Sequence, residues 1–406
     1  MVNEYFQLIH YGGSFYYYIF ELANFCFLAF FAIIVYKLNY INSNSLLVWV
    51  GLFFTPFLFN YFLIIPEMYG DQFEYAGEIM SLKSTGESIS TVSSTDSLLR
   101  LTEFNYFPHP ITFTSLVLGI VPLPNYMTVT SLAFANKLFI FGTFLWFKSF
   151  FQDENKVLLC FLIPSLILYS SLSLRDTLII ILSSFFLLNL LRDKYIFAGL
   201  LLYPIFILKI QMFAIFSLYF IGRLLFRAHR SYLMIGIFAA TMIGISLVIE
   251  EDVLMIMNTY RLGFAAEDFD LGGGVFSYAG WAMYGTELGE TLKLHSIPEA
   301  IYIAVLRLPE FLLMPMPWNW TNVFYPIQAL ESYLLIYLYY KLASRRQLYK
   351  NREFALLTFI LFIGLLMYSL IMANEGTFVR YRFTIFYPFL LALFYLAYSK
   401  SETKKS

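Results

Sequence analysis

The sequence predicts an all-α polytopic membrane protein with about eleven transmembrane helices and two large outer (periplasmic) loops. Three observations predict it. Apolar residues make up 60 % of the chain and charged residues 13 %, roughly half the charged share of about 25 % in a soluble domain. Apolar runs near the ~20 residues needed to cross a bilayer recur from end to end. Lys and Arg are unevenly shared between the connections. The formal net charge of −1 and the lack of a large basic run argue against a nucleic-acid partner. Cys26 and Cys160 fall inside apolar runs and read as small buried hydrophobes rather than a disulfide or metal pair.

In chain order, spans are expected at residues 16–36, 46–65, 128–150, 157–173, 176–191, 195–208, 210–226, 232–249, 327–343, 354–373 and 383–399. The N-terminal stretch has no basic region before its first apolar run, so that run is expected to remain as a span. Orientation follows from the basic residues. With the loop after the second span outside, sixteen of the 26 Lys and Arg lie inside, nine lie outside, and Lys137 lies within a span. The N-terminus is then external and the C-terminus internal. Lys156 and Arg192 both belong inside, so 157–191 must be a hairpin with Arg175-Asp176 at its outer tip. Each arm of about 17 residues reaches roughly 26 Å. Ser173-x-x-Asp176 reads as a capping pair, with Ser173 as N-cap and Asp176 in the third helical position. The same reasoning makes Lys209 the outer tip of a hairpin over 195–226.

The whole chain, 1–406, is expected to form one membrane domain. The first outer loop, 66–127, holds a Ser/Thr-rich polar stretch and closes with a Pro-bounded apolar segment read as re-entrant or interfacial. The second, 250–326, holds Gly272-Gly273-Gly274 and an amphipathic piece from Ile297 to Pro309. Trp318 and Trp320 follow as interfacial anchors.

The unusual charges point to chemistry. Basic residues are disfavoured outside, yet Arg175, Lys209, Arg380 and Arg382 sit at outer span ends, and Arg307 lies in an apolar segment. Such cations suit a phosphate or pyrophosphate, with Arg offering paired hydrogen bonds; the plainer alternative is snorkelling to lipid headgroups. Asp71 and Glu74 open the first loop and would share a helix face. A carboxylate there suits a general base, the alternative being a solvated loop acid. His109, in Pro108-His109-Pro110, is placed to face the same cavity. Asp176 reads as a cap and partner of Arg175, and Glu375 as a partner of the following arginines. Glu21 and Lys137 lie within spans, where charges can mark a transport path; the alternative is that each sits near enough to a span end to snorkel. The four histidines show no ligand spacing, so no metal is expected. No phosphate-binding loop, nucleotide fingerprint or serine-hydrolase motif is present, and no cofactor is expected.

Gly70-Asp71-Gln72-Phe73-Glu74-Tyr75 is a Gly-Asp-x-x-x-Tyr motif opening a large outer loop, and it is similar to membrane-embedded GT-C glycosyltransferases. That loop follows the second span here, where the GT-C pattern places it after the first. The tip Ser171-Leu172-Ser173-Leu174-Arg175-Asp176 and the segment Val379-Arg380-Tyr381-Arg382-Phe383 resemble the Wzy/EpsG-type polysaccharide polymerases of bacterial O-antigen and capsule synthesis. The resemblance implies joining of undecaprenyl-pyrophosphate-linked repeat units at the outer face of the bacterial inner membrane. The partners would be lipid-linked donor and acceptor glycans, membrane lipids and a chain-length regulator. It places the catalytic carboxylate at Asp71, with Glu74 in reserve. Two other readings stand beside it: a GT-C transferase adding one sugar from a polyprenyl-phosphate donor, and a flippase or transporter of lipid-linked glycan.

Overall fold

The computed structural model describes residues 15–62, 72, 75, 110–124, 126, 128, 130–229, 251, 253–255, 257–259, 261–262, 287–319, 324–345, 348, 351–371 and 375–399. Their regular structure is helical, with no strand among them, as the composition predicts. Among the described residues three helices are long and apolar enough to cross a membrane, at Ser43–Asn60, Arg352–Ile371 and Val379–Tyr398. Shorter apolar helices occupy Pro110–Gly119, Asp176–Leu191, Tyr195–Leu208 and Ile210–Leu225. The expected span over 232–249 lies outside the described residues. The chain divides into two compact units.

Unit 1 comprises Met1–Asn189, Lys194–Phe213 and Tyr398–Ser406. It begins with α1 (Phe15–Lys37) and α2 (Ser43–Phe57). The Asn42 side chain caps α2 by accepting from the Ser45 amide at 2.8 Å, satisfying one of the donors a helix start leaves open. Pro56 lies in the last turn of α2, which opens into a π-helical turn over Leu58–Phe62. Then come α3 (Pro110–Gly119) and α4 (Ser131–Lys148). Aromatic rings hold α2 to α4: Trp49 is buried with its ring centroid 4.9 Å from Phe141 and 5.3 Å from Phe144.

The expected span over 157–173 is not one helix. It is α5 (Glu154–Cys160) and α6 (Pro164–Ser170). Pro164 has no N–H to continue a helix and disfavours helical geometry in the residue before it, and Ile163 is extended at φ −68, ψ 128. After a turn, α7 runs Asp176–Leu191. Asp176 is therefore the first residue of α7, not its third, and the expected Ser173 N-cap lies too early. Asp176 still sits in the first turn, where its charge meets the positive helix end. Next, α8 (Tyr195–Leu208) and α9 (Ile210–His229) are separated at Lys209, extended at φ −163, ψ 99.

Unit 2 comprises Leu190–Asp193 and Ala214–Ala397. Beyond its share of α9 it holds α10 (Glu287–Leu292), α11 (Ile297–Leu313), α12 (Phe324–Ala343), α13 (Arg352–Ile371) and α14 (Glu375–Tyr398). The Ser296 side chain caps α11 by accepting from the Glu299 amide at 3.3 Å, and Glu299 reaches back to the His295 amide at 2.8 Å. This is close to a capping box. α11 runs past Pro309, where the amphipathic piece was expected to stop. It packs along α13, with the Ser369 hydroxyl donating to the Ala304 carbonyl at 3.0 Å. Leu254, Leu294, Ile297, Ala300, Ala304 and Leu370 form the buried cluster there. α13 also comes close to its neighbours: a Cβ at Gly364 would press on Ile385 and stand 3.1 Å from Ile215. Small residues permit such approach between membrane helices.

Candidate functional site: a clamped turn bearing Arg175

The turn between α6 and α7 carries Ser171-Leu172-Ser173-Leu174-Arg175. It is not a free loop tip. Ser171, Leu172, Ser173 and Leu174 are buried, and Arg175 is the half-buried exception. Buried backbone needs partners, and side chains from three directions supply them. From the π-turn after α2, Asn60 Nδ2 donates to the Ser171 carbonyl at 2.9 Å. Thr55 Oγ1 lies 2.6 Å from Ser171 Oγ. From α4, Asn136 Nδ2 donates to the carbonyls of Leu172 at 2.8 Å and Leu174 at 3.0 Å. From the first large loop, Gln72 Oε1 accepts from the Ser173 amide at 2.8 Å. Three residues on, the Tyr75 carbonyl accepts from Ser115 Oγ on α3 at 3.0 Å.

Lys137 supports the same turn from below. It is 1 % exposed, and its Nζ donates to the Ile167 carbonyl at 3.1 Å and to Ser170 Oγ at 2.8 Å. It closes the C-terminal end of α6, giving donors to carbonyl and hydroxyl oxygens of the last turn. The expected snorkelling of Lys137 and Glu21 is thereby corrected. Glu21 is also fully buried and accepts from Thr130 Oγ1.

The five sequence-predicted cations divide between the units. Arg175 and Lys209 lie in unit 1; Arg307, Arg380 and Arg382 lie in unit 2. Lys209 is 7 % exposed at the break between α8 and α9. Arg307 pairs with Glu310 on the same helix at 3.7 Å. The pair in Val-Arg-Tyr-Arg-Phe does not share a direction. α14 starts at Glu375 rather than near 383, so Arg380 and Arg382 are helical residues two apart, about 200° around the axis. Arg382 is 3 % exposed, and its Nη1 reaches the carbonyls of Phe311 at 2.9 Å, Leu312 at 3.0 Å and Met314 at 2.8 Å. It caps the C-terminal end of α11. That geometry makes it a structural cation, whereas Arg380 is half-buried. Nearby, Arg261 donates to the carbonyls of Leu292 at 2.8 Å and Leu370 at 3.0 Å. Burial, with Arg307 adding to it, pushes its guanidinium down to about 10.

Of the expected carboxylates, Asp176 is buried at 2 % exposure at the start of α7. Asp71, Glu74 and His109 lie outside the described residues, as does the side chain of Glu375. Among the described residues no cluster of His, Cys, Asp or Glu would hold a metal ion. Sequence reasoning missed Asn60, Gln72 and Asn136 and misread Lys137. For Asn60, Asn136 and Lys137 the usable signal was amide and ammonium groups inside apolar runs, which must find partners in a bilayer; Gln72, in the polar opening of the first loop, gave none. Compared with known proteins, the chain matches no family model, no curated protein and no solved structure.

Proposed function

We propose that the protein is a polymerase of lipid-linked glycan repeat units, built on about eleven membrane-spanning helices in the bacterial inner membrane. The observation that supports this most is the hydrogen bond between Gln72 Oε1 and the Ser173 amide. It joins the segment that follows Asp71 to the turn that presents Arg175, so a candidate base and a candidate anion ligand lie on tethered pieces of chain. In this reading the acceptor glycan's hydroxyl oxygen attacks the donor's anomeric carbon. Its proton passes to the Asp71 carboxylate, with Glu74 in reserve. The bond from the anomeric carbon to the pyrophosphate oxygen breaks, and lipid pyrophosphate leaves with the electron pair. Arg175 offsets the charge growing on that oxygen, with Lys209 close to the same outer level. Arg380 is the half-buried outer cation of unit 2 in this reading.

The topology draws support from how contacts sort. Loops assigned to the inner face pair with one another: Asn42 with Glu154 at 3.0 Å, Lys148 with Glu154 at 2.7 Å, and Arg223 with Asp193 and Glu353 at 3.4 Å. Segments assigned to the outer face do likewise, as with Gln72 and Ser173, or Arg261 and Leu370. A tag at the N-terminus should report outside and one at the C-terminus inside. Finding both ends on one side would break the odd span count.

The proposal is tested by Arg175→Ala and Arg380→Ala in cells that make the polymer. Each should abolish the polymer ladder while protein stays in the membrane. Normal ladders from both would refute a pyrophosphate role. Addition of one sugar only would favour the GT-C transferase, and glycan flipping without bond formation would favour the flippase.

A further inference from the structure

α11 is apolar on two faces, and its packing on α13 explains only one of them. The buried face carries Ile297, Ala300, Ala304 and Phe311, set against α13 residues such as Leu370 and Tyr368. The exposed residues of α11 are Pro298, Ile301, Tyr302, Val305, Leu306 and Pro309. Their spacing of i, i+3, i+4, i+7, i+8 and i+11 lines them up as one stripe. Its four central members are between 50 and 65 % exposed. A helix apolar on both sides belongs in a core or a membrane rather than in water.

The charges of α11 decide what covers the stripe. They are Glu299, Arg307 and Glu310. At about 100° per residue they fall roughly 100–180° round the axis from Pro298, all on one side, between the stripe and the packed face. Arg307 and Glu310 pair there at 3.7 Å, and Glu299 accepts from the His295 amide at 2.8 Å. Ile301 and Leu308 occupy the opposite side. α11 therefore has a wet edge and a dry edge, as a helix at a water–hydrocarbon boundary has. A protein partner seated on the stripe calls for no such division.

The level of α11 agrees. Ala304 accepts from the hydroxyl of Ser369, which lies within one turn of the end of the apolar helix Arg352–Ile371. Arg382, which closes the C-terminal end of α11, lies within one turn of the start of the apolar stretch Val379–Tyr398. Both contacts fall at the ends of helices able to cross a membrane, not at their middles. Trp318, just beyond α11, is 80 % exposed, and Trp and Tyr favour the level of the headgroups.

We propose that α11 is an interfacial helix whose exposed stripe docks on the hydrocarbon edge of a lipid leaflet, the outer one in the topology given above. With two acids and one base, its polar side has no excess of positive charge. Apolar area, rather than attraction to anionic headgroups, holds it there. Nothing in this contact requires the polymerase reading.

The test uses the full-length protein in proteoliposomes of phosphatidylethanolamine and phosphatidylglycerol. Cys26→Ala and Cys160→Ala leave a single fluorescent label on Tyr302→Cys, Leu306→Cys or Glu310→Cys. Lipids brominated on the acyl chain should quench the labels at 302 and 306 at least about threefold more than the label at 310, and aqueous iodide should do the reverse. Bromolipid quenching at 302 and 306 should persist when phosphatidylglycerol is left out. A melting temperature within a few degrees of the unlabelled protein separates these readings from loss of fold. Iodide quenching at 302 and 306 equal to that at 310 would put the stripe in water. Shielding of both labels from both quenchers would put a second copy or another protein over it. Bromolipid quenching at all three positions would make α11 fully inserted, and quenching that vanishes without phosphatidylglycerol would make headgroup charge the binding element. Each of these four results overturns the proposal.

Discussion

Lys137 in unit 1 and Arg382 in unit 2 do the same physical job with different consequences. Each is a buried basic side chain on one helix that closes the C-terminal end of another. Lys137 reaches Ile167 and Ser170 at the end of α6, while Arg382 reaches three carbonyls at the end of α11. Each has a half-buried arginine close by in sequence or space: Arg175 follows the helix that Lys137 caps, and Arg380 precedes Arg382 on α14. The helices they close differ. α6 has seven residues and α11 has seventeen. A helix of two turns does not stand alone in water, and α6 runs straight into the Arg175 turn. α11 has its own cap and a long packed face against α13. The comparison teaches that basic residues sort into buried members that close helix ends and half-buried members beside them, and that Lys137 closes a short helix leading into a turn where Arg382 closes a long one packed in its own unit.

The largest effect that would break this comparison is on stability. Arg382→Met leaves three carbonyls without their donor and should cost about 3 kcal/mol, read as a lower melting temperature and less protein in the membrane. Lys137→Met should cost only about 1 kcal/mol, because Met fills the buried space without needing a hydrogen-bond partner and so offsets part of the lost hydrogen bonding. On turnover the order should reverse. Lys137→Met should lower polymer synthesis about tenfold at equal protein, since a looser α6 end misplaces Arg175. Arg382→Met, normalised for surviving protein, should retain most of it. Equal effects of the two on both readouts would remove the distinction.

A smaller effect concerns the connection at Glu154. Burial raises the Glu154 carboxyl, but hydrogen bonds from Lys148, Ser45 and the Asn42 amide outweigh it and hold the group below the usual carboxylate range. A carboxyl whose folded value is depressed contributes stability above its unfolded value of about 4.3, and loses it as pH falls through the folded one. Glu154→Gln should therefore cost about 0.5–1 kcal/mol at pH 7. The gap to wild type should close as pH falls below about 4, measured as melting temperature against pH.

Much of the fold was legible because hydropathy and charge act over long stretches. The helix break at Lys209 falls where the placing of Lys and Arg put a hairpin tip. The break at Pro164 was equally visible in the residue itself, yet an unbroken apolar run concealed it. The site was legible in part. Arg175 and the Gly-Asp motif stand out as charges, whereas Gln72, Asn60 and Asn136 act through buried hydrogen bonds that depend on which helices meet. The arginine pair near residue 380 misled because a span start drawn by hydropathy at 383 falls eight residues after the helix begins. Inside a helix, alternate residues diverge.

The most direct measurement is the product-length distribution from purified protein in proteoliposomes given only undecaprenyl-pyrophosphate-linked repeat units. A ladder spaced by one repeat unit, lost in Arg175→Ala protein of unchanged melting temperature, is the predicted result. Products extended by a single sugar from a polyprenyl-phosphate donor, or a ladder unaffected by Arg175→Ala, would contradict it.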